Sequence, residues 1–433
     1  MNQVPSKDFY CSVVNEMLFP FWDRAVDRKN GGVYTCFHNS GAELLSKDKY
    51  TWSQGRFLWM WCRYIENIRN GNIKEPGKGA LVRLEEDARK TARFLLKYSF
   101  MENGNVIFLI SETGELKKTS EDAPIDASLY SDCFISQGFT EYARVFKEES
   151  YALRALELYR SISDRLFKRE FNLEPYPLPD GCTLMGIVMW VLYTGSELAK
   201  SLFALGRPEA AEAAAIAEKV MVILENDFYV KPYNIEVKGP ASFDDTLIVQ
   251  HLNAGHLLEG LWFYLQFKDF LRETNLVSCK KTPQDDLALA DTLGRWAVDH
   301  GWDDEKGGFF RFTDRNGGQP KGRLIGGRYE NLVVNSWDTK LWWVHSETLY
   351  ISAVMAKRME EAGSAMADKA AYWRKTYEKI FDYTFTVFPN PDKSIGEWIQ
   401  IRRRDGTPLN EVVALPVKDP FHVFRNILRL IEL

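Results

Sequence analysis

The chain has 433 residues, 55 Lys and Arg against 60 Asp and Glu, and a net charge of −5, so no basic stripe favours nucleic acid. Hydrophobic residues make up 45% and charged residues 27%, the balance of a globular protein with a large core. Six scattered cysteines without a CxxC pair read as reduced thiols, and no run of about 18 apolar residues suggests a membrane span. The opening MNQVPSKDFYCSVV has no basic region followed by an apolar stretch, so a cytoplasmic protein is expected.

In chain order, helical periodicity predicts helices over 7–27, 52–69, 80–99, 124–146, 149–167, 184–204, 208–226, 246–270, 285–300, 339–360, 362–381 and 418–432. Short strands next to glycine turns are predicted at 31–37, 104–111 and 307–313. The polar, glycine-rich stretch 314–336 reads as a long functional or lid loop. No composition shift marks a linker, so one domain over 1–433 is expected.

A weak repeat runs through this pattern. FWDRAVDRKNGGVYTCF resembles GWDDEKGGFFRFT, and the segments that follow align Trp52 with Trp343, Arg56 with Glu347 and Trp59 with Tyr350. A third stretch, HLNAGHLLEGLWFY, places Glu259 and Trp262 in the same i, i+3 relation, which is one helix face. Repeated helix pairs without an extended sheet suggest a solenoid or a closed toroid. Twelve helices as six pairs would close as an all-α (α/α)6 barrel, with short β-hairpins in the connecting loops and charged-plus-aromatic faces turned inward.

GGVYTCF, KYTWSQGRFLWMWCRY, SDCFISQGFTEYA (131–143), GHLLEG (255–260), TKLWWVHSETL (339–349) and FHVFR (421–425) appear in an order and spacing that resembles the N-acylglucosamine 2-epimerase family. The resemblance runs nearly end to end and implies an (α/α)6 barrel that epimerises or isomerises sugars at C1–C2. The reaction it implies interconverts N-acetylglucosamine and N-acetylmannosamine. The sugar ring opens, a base removes the C2 proton beside the aldehyde, and an acid returns one to the opposite face.

Histidine suits both roles because its ordinary pKa lies near neutral pH. By resemblance His256 and His422 are the pair. Arg56 would hold the developing enolate oxygen, and Glu259 and Glu347 would fix histidine tautomers or assist ring opening. Arg425, Trp262 and Trp343 are expected to bind substrate, whereas His38, His251 and His345 read as structural or peripheral. No HExxH or paired His/Cys spacing marks a metal site.

No cofactor is expected. ATP as an allosteric effector is left undecided by a chain without a P-loop, and a homodimer is expected by analogy alone. The cellobiose epimerase and aldose–ketose isomerase branches usually carry a further histidine on the sixth helix, whereas TLMGIVMW (183–190) has none, which favours the acylglucosamine branch. Alternatives are an aldose–ketose isomerase of mannose-like sugars and a glycoside hydrolase using Glu259 and Glu347 as paired carboxylates.

Overall fold

The computed structural model of the protein describes residues 5–230, 235–410 and 416–433. The chain begins with α1 (Lys7–Ser12), which runs through a π-turn at Val13–Leu18 into α2 (Phe19–Ala25). Then follow α3 (Thr51–Arg69), α4 (Ala80–Tyr98), α5 (Leu129–Phe146), α6 (Glu149–Lys168), α7 (Met185–Ala204) and α8 (Ala210–Ile223). The second half holds α9 (Leu247–Gln250), α10 (Ala254–Thr274), α11 (Pro283–Gly301), α12 (Arg328–Ser336), α13 (Trp342–Glu361), α14 (Ala367–Val387) and α15 (His422–Glu432).

Burial divides the long helices into two rings. Helices α3, α5, α7, α10, α13 and α15 are buried over most of their circumference, as an inner ring requires. Each touches the next in that order, and α15 returns to α3, so the ring closes. The α1–α2 segment, α4, α6, α8, α11 and α14 bury one stripe each and form the outer ring. The molecule is an all-helical (α/α)6 toroid with short β-hairpins in its loops.

The inner helices approach closely where the sequence supplies glycine. A Cβ on Gly55 would meet the Phe134 carbonyl oxygen at 2.2 Å, and one on Gly138 would meet the Gly55 carbonyl oxygen at 2.7 Å. This backbone contact of α3 with α5 lays the Arg56 guanidinium over the Phe134 ring, 3.9 Å from its centre.

The strands are two or three residues long and stand at the entrances of inner helices. Lys49–Tyr50 pairs with Leu109–Ile110 before α3, and Thr183–Leu184 with Val237–Lys238 before α7. His251–Leu252 pairs with Thr313–Asp314 before α10, and Lys340–Leu341 with Ile401–Arg402 before α13. The ladders therefore fix where these helices begin.

A buried lysine completes three of the entrances. Lys49 Nζ lies 2.7 Å from Asp27 and donates to the Gly31 carbonyl at 2.8 Å. Lys340 repeats this with Asp303 at 2.9 Å and the Gly308 carbonyl, and Lys418 with Glu397 at 3.0 Å and the Trp398 carbonyl. All three lysine side chains are 0% exposed. Removing one partner of a buried pair leaves the other charge uncompensated. Lys49→Ala is therefore expected to lower the unfolding free energy by about 3–5 kcal/mol, read by urea denaturation.

Two predicted elements need correction. The stretch 314–336 is not loop throughout, because its last nine residues form α12. The Glu330 carboxylate accepts from the Ile325 and Gly326 N–H groups at its start, and Tyr329 and Val333 bury one face. The predicted helix 246–270 is broken. Asn253 caps α10 by accepting from the His256 N–H at 3.1 Å, which separates α10 from the short α9 and the His251–Leu252 strand.

Candidate active site

All six inner helices start at the same end of the toroid, around a cavity of about 310 Å³. Its wall takes residues from the first turns of these helices, including Trp52, Tyr130, His256, Trp342, Trp343 and His422. Helix N-termini carry unpaired N–H groups and a partial positive charge, so six of them favour negative charge in the cavity. Helix α12 and the 173–176 loop cover the mouth, joined by an ion pair of Arg328 with Glu174 at 2.6 Å.

Two histidines on the wall are held alike. The His256 Nδ1 lies 2.6 Å from Oε1 of Glu236, and the His422 Nδ1 lies 2.8 Å from Oε1 of Glu347. Both glutamates are 0% exposed. Each backbone N–H is bound three residues back, His256 by the Asn253 side chain and His422 by Oδ2 of Asp419 at 2.9 Å. Each Nδ1 is taken up by a glutamate, which leaves Nε2 as the ring nitrogen open to a ligand. Both rings lie against Trp343, at 4.9 Å from His256 and 5.8 Å from His422.

Arg56 lines the same cavity, 18% exposed, with NH1 3.4 Å from Oδ1 of Asp419. Asp419 also accepts from Trp342 Nε1 at 3.3 Å, so one carboxylate positions Arg56, Trp342 and His422. Burial raises the Asp419 pKa, but His422 and Arg56 outweigh it and hold the group ionised. Burial lowers the Arg56 pKa, opposed by Asp419 and Glu259. Guanidinium stays protonated across the working range, so Arg56 is a fixed positive charge.

Below His422 lies a carboxylate pair. Oε1 of Glu259 and Oε1 of Glu347 both accept from NH2 of Arg425, which is 0% exposed and ringed by aromatic side chains. Burial and the neighbouring Glu347 charge push the Glu259 pKa well up. Burial also opposes ionisation of Glu347, but Arg425 and His422 outweigh it and hold its pKa down at about 2. Two like charges this close do not ionise together, so Glu259 keeps its proton while Glu347 is a carboxylate. Glu259 reaches the cavity and its Oε2 has no hydrogen-bond partner, so it is placed to give a proton to a ligand.

Glu259, Glu347 and His422 also converge closely enough to hold a metal ion. The Arg425 guanidinium bridges both carboxylates there, so the positive charge such a site would recruit is already supplied.

A sequence profile of the N-acylglucosamine 2-epimerase (GlcNAc 2-epimerase) family matches residues 209–425, half of the chain. The chain belongs to the N-acylglucosamine 2-epimerase family. It is 26% identical to N-acylglucosamine 2-epimerase of Mus musculus over 415 residues, covering 95% of this chain and 87% of that one. Cellobiose 2-epimerase of Bacillus thermoamylovorans B4167 superposes with a TM-score of 0.73 at 16% identity, over 98% of both chains. A D-mannose isomerase gives 0.72 at 13% identity, covering 99% of this chain and 100% of that one. With the family and its fold comes the reaction class, that of a sugar epimerase or isomerase.

For a family member of this kind, the structure gathers Arg56, His256, Glu259, His422 and Trp343 on one cavity wall. It places three expected site residues elsewhere. Arg425, Trp262 and Glu347 are 0% exposed and lie behind His422, outside the lining. Trp262 donates Nε1 to Oε2 of Glu347 at 2.9 Å, and its ring packs against Tyr193 and Tyr350. Arg425 and Trp262, expected to bind substrate, thus lie out of reach of a ligand in the cavity, because the aromatic floor of the barrel closes over them.

His251 and His345 are buried structural groups. Their Nδ1 atoms lie 2.7 Å from the Ile248 and Leu341 carbonyls, and burial lowers their pKa values to about 4 and about 3. His38 sits by Ser40, away from the cavity.

The residues that sequence reasoning missed differ in how visible they were. Asn253 and Asp419 each precede a site histidine by three, a helix N-terminal spacing that was there to be read. Trp52 was already aligned with Trp343. Glu236 lies 20 residues before His256, just ahead of a strand pairing that no local pattern announces. Gly186, on the helix without a histidine, has its own part. A Cβ there would lie 2.9 Å from Cε1 of His256 and 3.0 Å from the Tyr130 hydroxyl. The bare backbone lets the imidazole rest against α7.

Proposed function

We propose that this protein is an N-acyl-D-glucosamine 2-epimerase that interconverts N-acetylglucosamine and N-acetylmannosamine by proton transfer, with no cofactor in the chemistry. The observation that carries the reading is the pair of imidazoles on one cavity, each with Nδ1 on its own buried glutamate. The curated name of the mouse relative supports the substrate class.

In this reading Glu259 protonates the ring oxygen as its bond to C1 breaks, and the anomeric hydroxyl gives its proton to water, which leaves the open-chain aldehyde. The C2 proton of the aldehyde form then lies next to a carbonyl. His422 takes it through Nε2. Burial lowers the His422 pKa from 6.5, against Asp419 and Glu347, so the ring is neutral at pH 7 and ready to accept. The electron pair from the C2–H bond forms the C1–C2 double bond of the enolate, and O1 takes the charge beside Arg56. His256, with Nδ1 on Glu236, returns a proton to the other face of C2. The reverse direction exchanges the two roles. A 2-acylamino group leaves no 2-hydroxyl to become a ketone, so epimerisation is the outcome.

Incubation with N-acetylmannosamine and, separately, with mannose tests the substrate class by sugar analysis of the products. N-acetylglucosamine from the first is expected. Fructose from mannose, with no product from N-acetylmannosamine, would overturn the reading in favour of the ketose-forming isomerase.

The pH dependence follows from His422. It accepts a proton only when neutral, so kcat/KM is lost as pH falls through its depressed pKa, with a midpoint below 6.5. Glu347 raises that pKa, so Glu347→Gln is expected to move the limb to still lower pH. An acid limb centred above 7 would contradict the assignment.

A further inference from the structure

Among the described residues, the basic side chains on the cavity wall have carboxylate partners with one exception. Arg56 faces Asp419, Lys418 faces Glu397, His256 faces Glu236 and His422 faces Glu347. Arg311 also lines the cavity, half-buried, and among the described residues no carboxylate lies within ion-pairing distance of it. Its NH1 donates to the Ser336 hydroxyl on α12 at 3.1 Å, and its guanidinium lies 5.1 Å from the centre of the Phe312 ring.

A guanidinium withdrawn from water without a counter-ion is costly, and a cavity lined by helix N-termini adds to the positive field. Burial depresses the Arg311 pKa, opposed only by the Tyr176 and Tyr329 hydroxyls. The side chain is nonetheless held in place. Phe310 N–H donates to the Gly301 carbonyl at 2.9 Å and Phe312 N–H to the Trp337 carbonyl at 3.1 Å, fixing the backbone on both sides.

Arg56 and Arg311 also serve different parts of the cavity. Arg56 stands with Asp419, Glu259, Arg425 and Tyr130, next to the proton-transfer groups. Arg311 stands with Tyr176, Tyr329 and Ser336, beneath the cover formed by α12 and the 173–176 loop.

We propose that Arg311 receives an anionic substituent of the substrate, a carboxylate, phosphate or sulfate carried away from C1 and C2. Its planar fork of donors matches the oxygens of such a group, and the ligand supplies the counter-charge that the wall lacks. This deepens the 2-epimerase reading and rests on it for the sugar, but not for the anion. The preferred substrate is then an acidic N-acylhexosamine.

Trp52, Trp342 and Trp343 on the wall provide a fluorescence readout. N-acetylglucosamine, its 6-phosphate, its 6-sulfate and its 3-O-lactyl ether are titrated against the full chain and against Arg311→Gln and Arg311→Lys. At least one acidic sugar is expected to bind about 10- to 100-fold more tightly than the neutral one. Arg311→Gln is expected to erase that advantage and Arg311→Lys to keep part of it. Equal affinities for all four sugars, or an advantage that survives Arg311→Gln, would overturn the proposal. Deuterium uptake at C2 from D2O is read on the same ligands. Tight, Arg311-dependent binding without C2 exchange would sink the epimerase reading and leave the anion site standing.

Discussion

His422→Asn is expected to lower kcat/KM for epimerisation by about 1,000-fold, within the range removed with a general base. Asparagine keeps a short polar side chain next to Glu347, so the pocket is not emptied, but no group remains to take the C2 proton on that face. The partial reaction makes the prediction specific. His256 still faces the cavity with Nδ1 on Glu236. The epimer whose C2 hydrogen points to His256 should go on exchanging it for deuterium in D2O without being converted. His256→Asn should show the complementary pattern with the other epimer. Loss of exchange from both epimers in each variant would argue that the histidines act as one unit rather than one per face.

Arg425→Met is expected to lower stability strongly. Arg425 is fully buried and its NH2 bridges Oε1 of Glu259 and Oε1 of Glu347, while Nε and NH1 have no hydrogen-bond partner. Without it the ionised Glu347 loses its main cation and is left buried against a second carboxyl. The cost of breaking such a pair is about 3–5 kcal/mol. Glu347 relieves this by taking up a proton, after which it no longer supports His422. Activity should therefore fall with stability. Adding Glu347→Gln to Arg425→Met should recover part of the stability, because it removes the charge that the arginine compensated. A denaturation midpoint unchanged in Arg425→Met would contradict this account of the barrel floor.

The toroid was legible because its signals are long. Twelve segments of helical period survive boundary errors, and the hairpin glycines mark where each entrance turns. The site was legible where residues lie on one helix face or in one quoted motif. Arg56 and Glu259 do reach one wall, and aligning Arg56 with Glu347 gave the right register. Register alone does not give depth. Glu347 and Trp262 follow the same spacing but lie lower in the barrel, where α15 covers them.

Other features were hidden because they depend on pairing between distant segments. Glu236 reaches His256 through a strand ladder with Thr183–Leu184, and the lysines at the helix entrances find acids 22, 37 and 21 residues away. Helix α12 was hidden because its apolar positions sit within a polar, glycine-rich run. Arg311 looked like any charged residue beside a short strand, and only the missing counter-ion sets it apart.

The central claim is that two bases act on opposite faces of C2, and solvent labelling tests it most directly. The protein is incubated with N-acetylmannosamine in D2O and sampled at low conversion by mass spectrometry and proton NMR. The account predicts N-acetylglucosamine carrying one deuterium at C2, delivered by a different histidine, while the remaining N-acetylmannosamine is unlabelled. Product that retains the original C2 proton, or deuterium entering remaining substrate as fast as product, would contradict it.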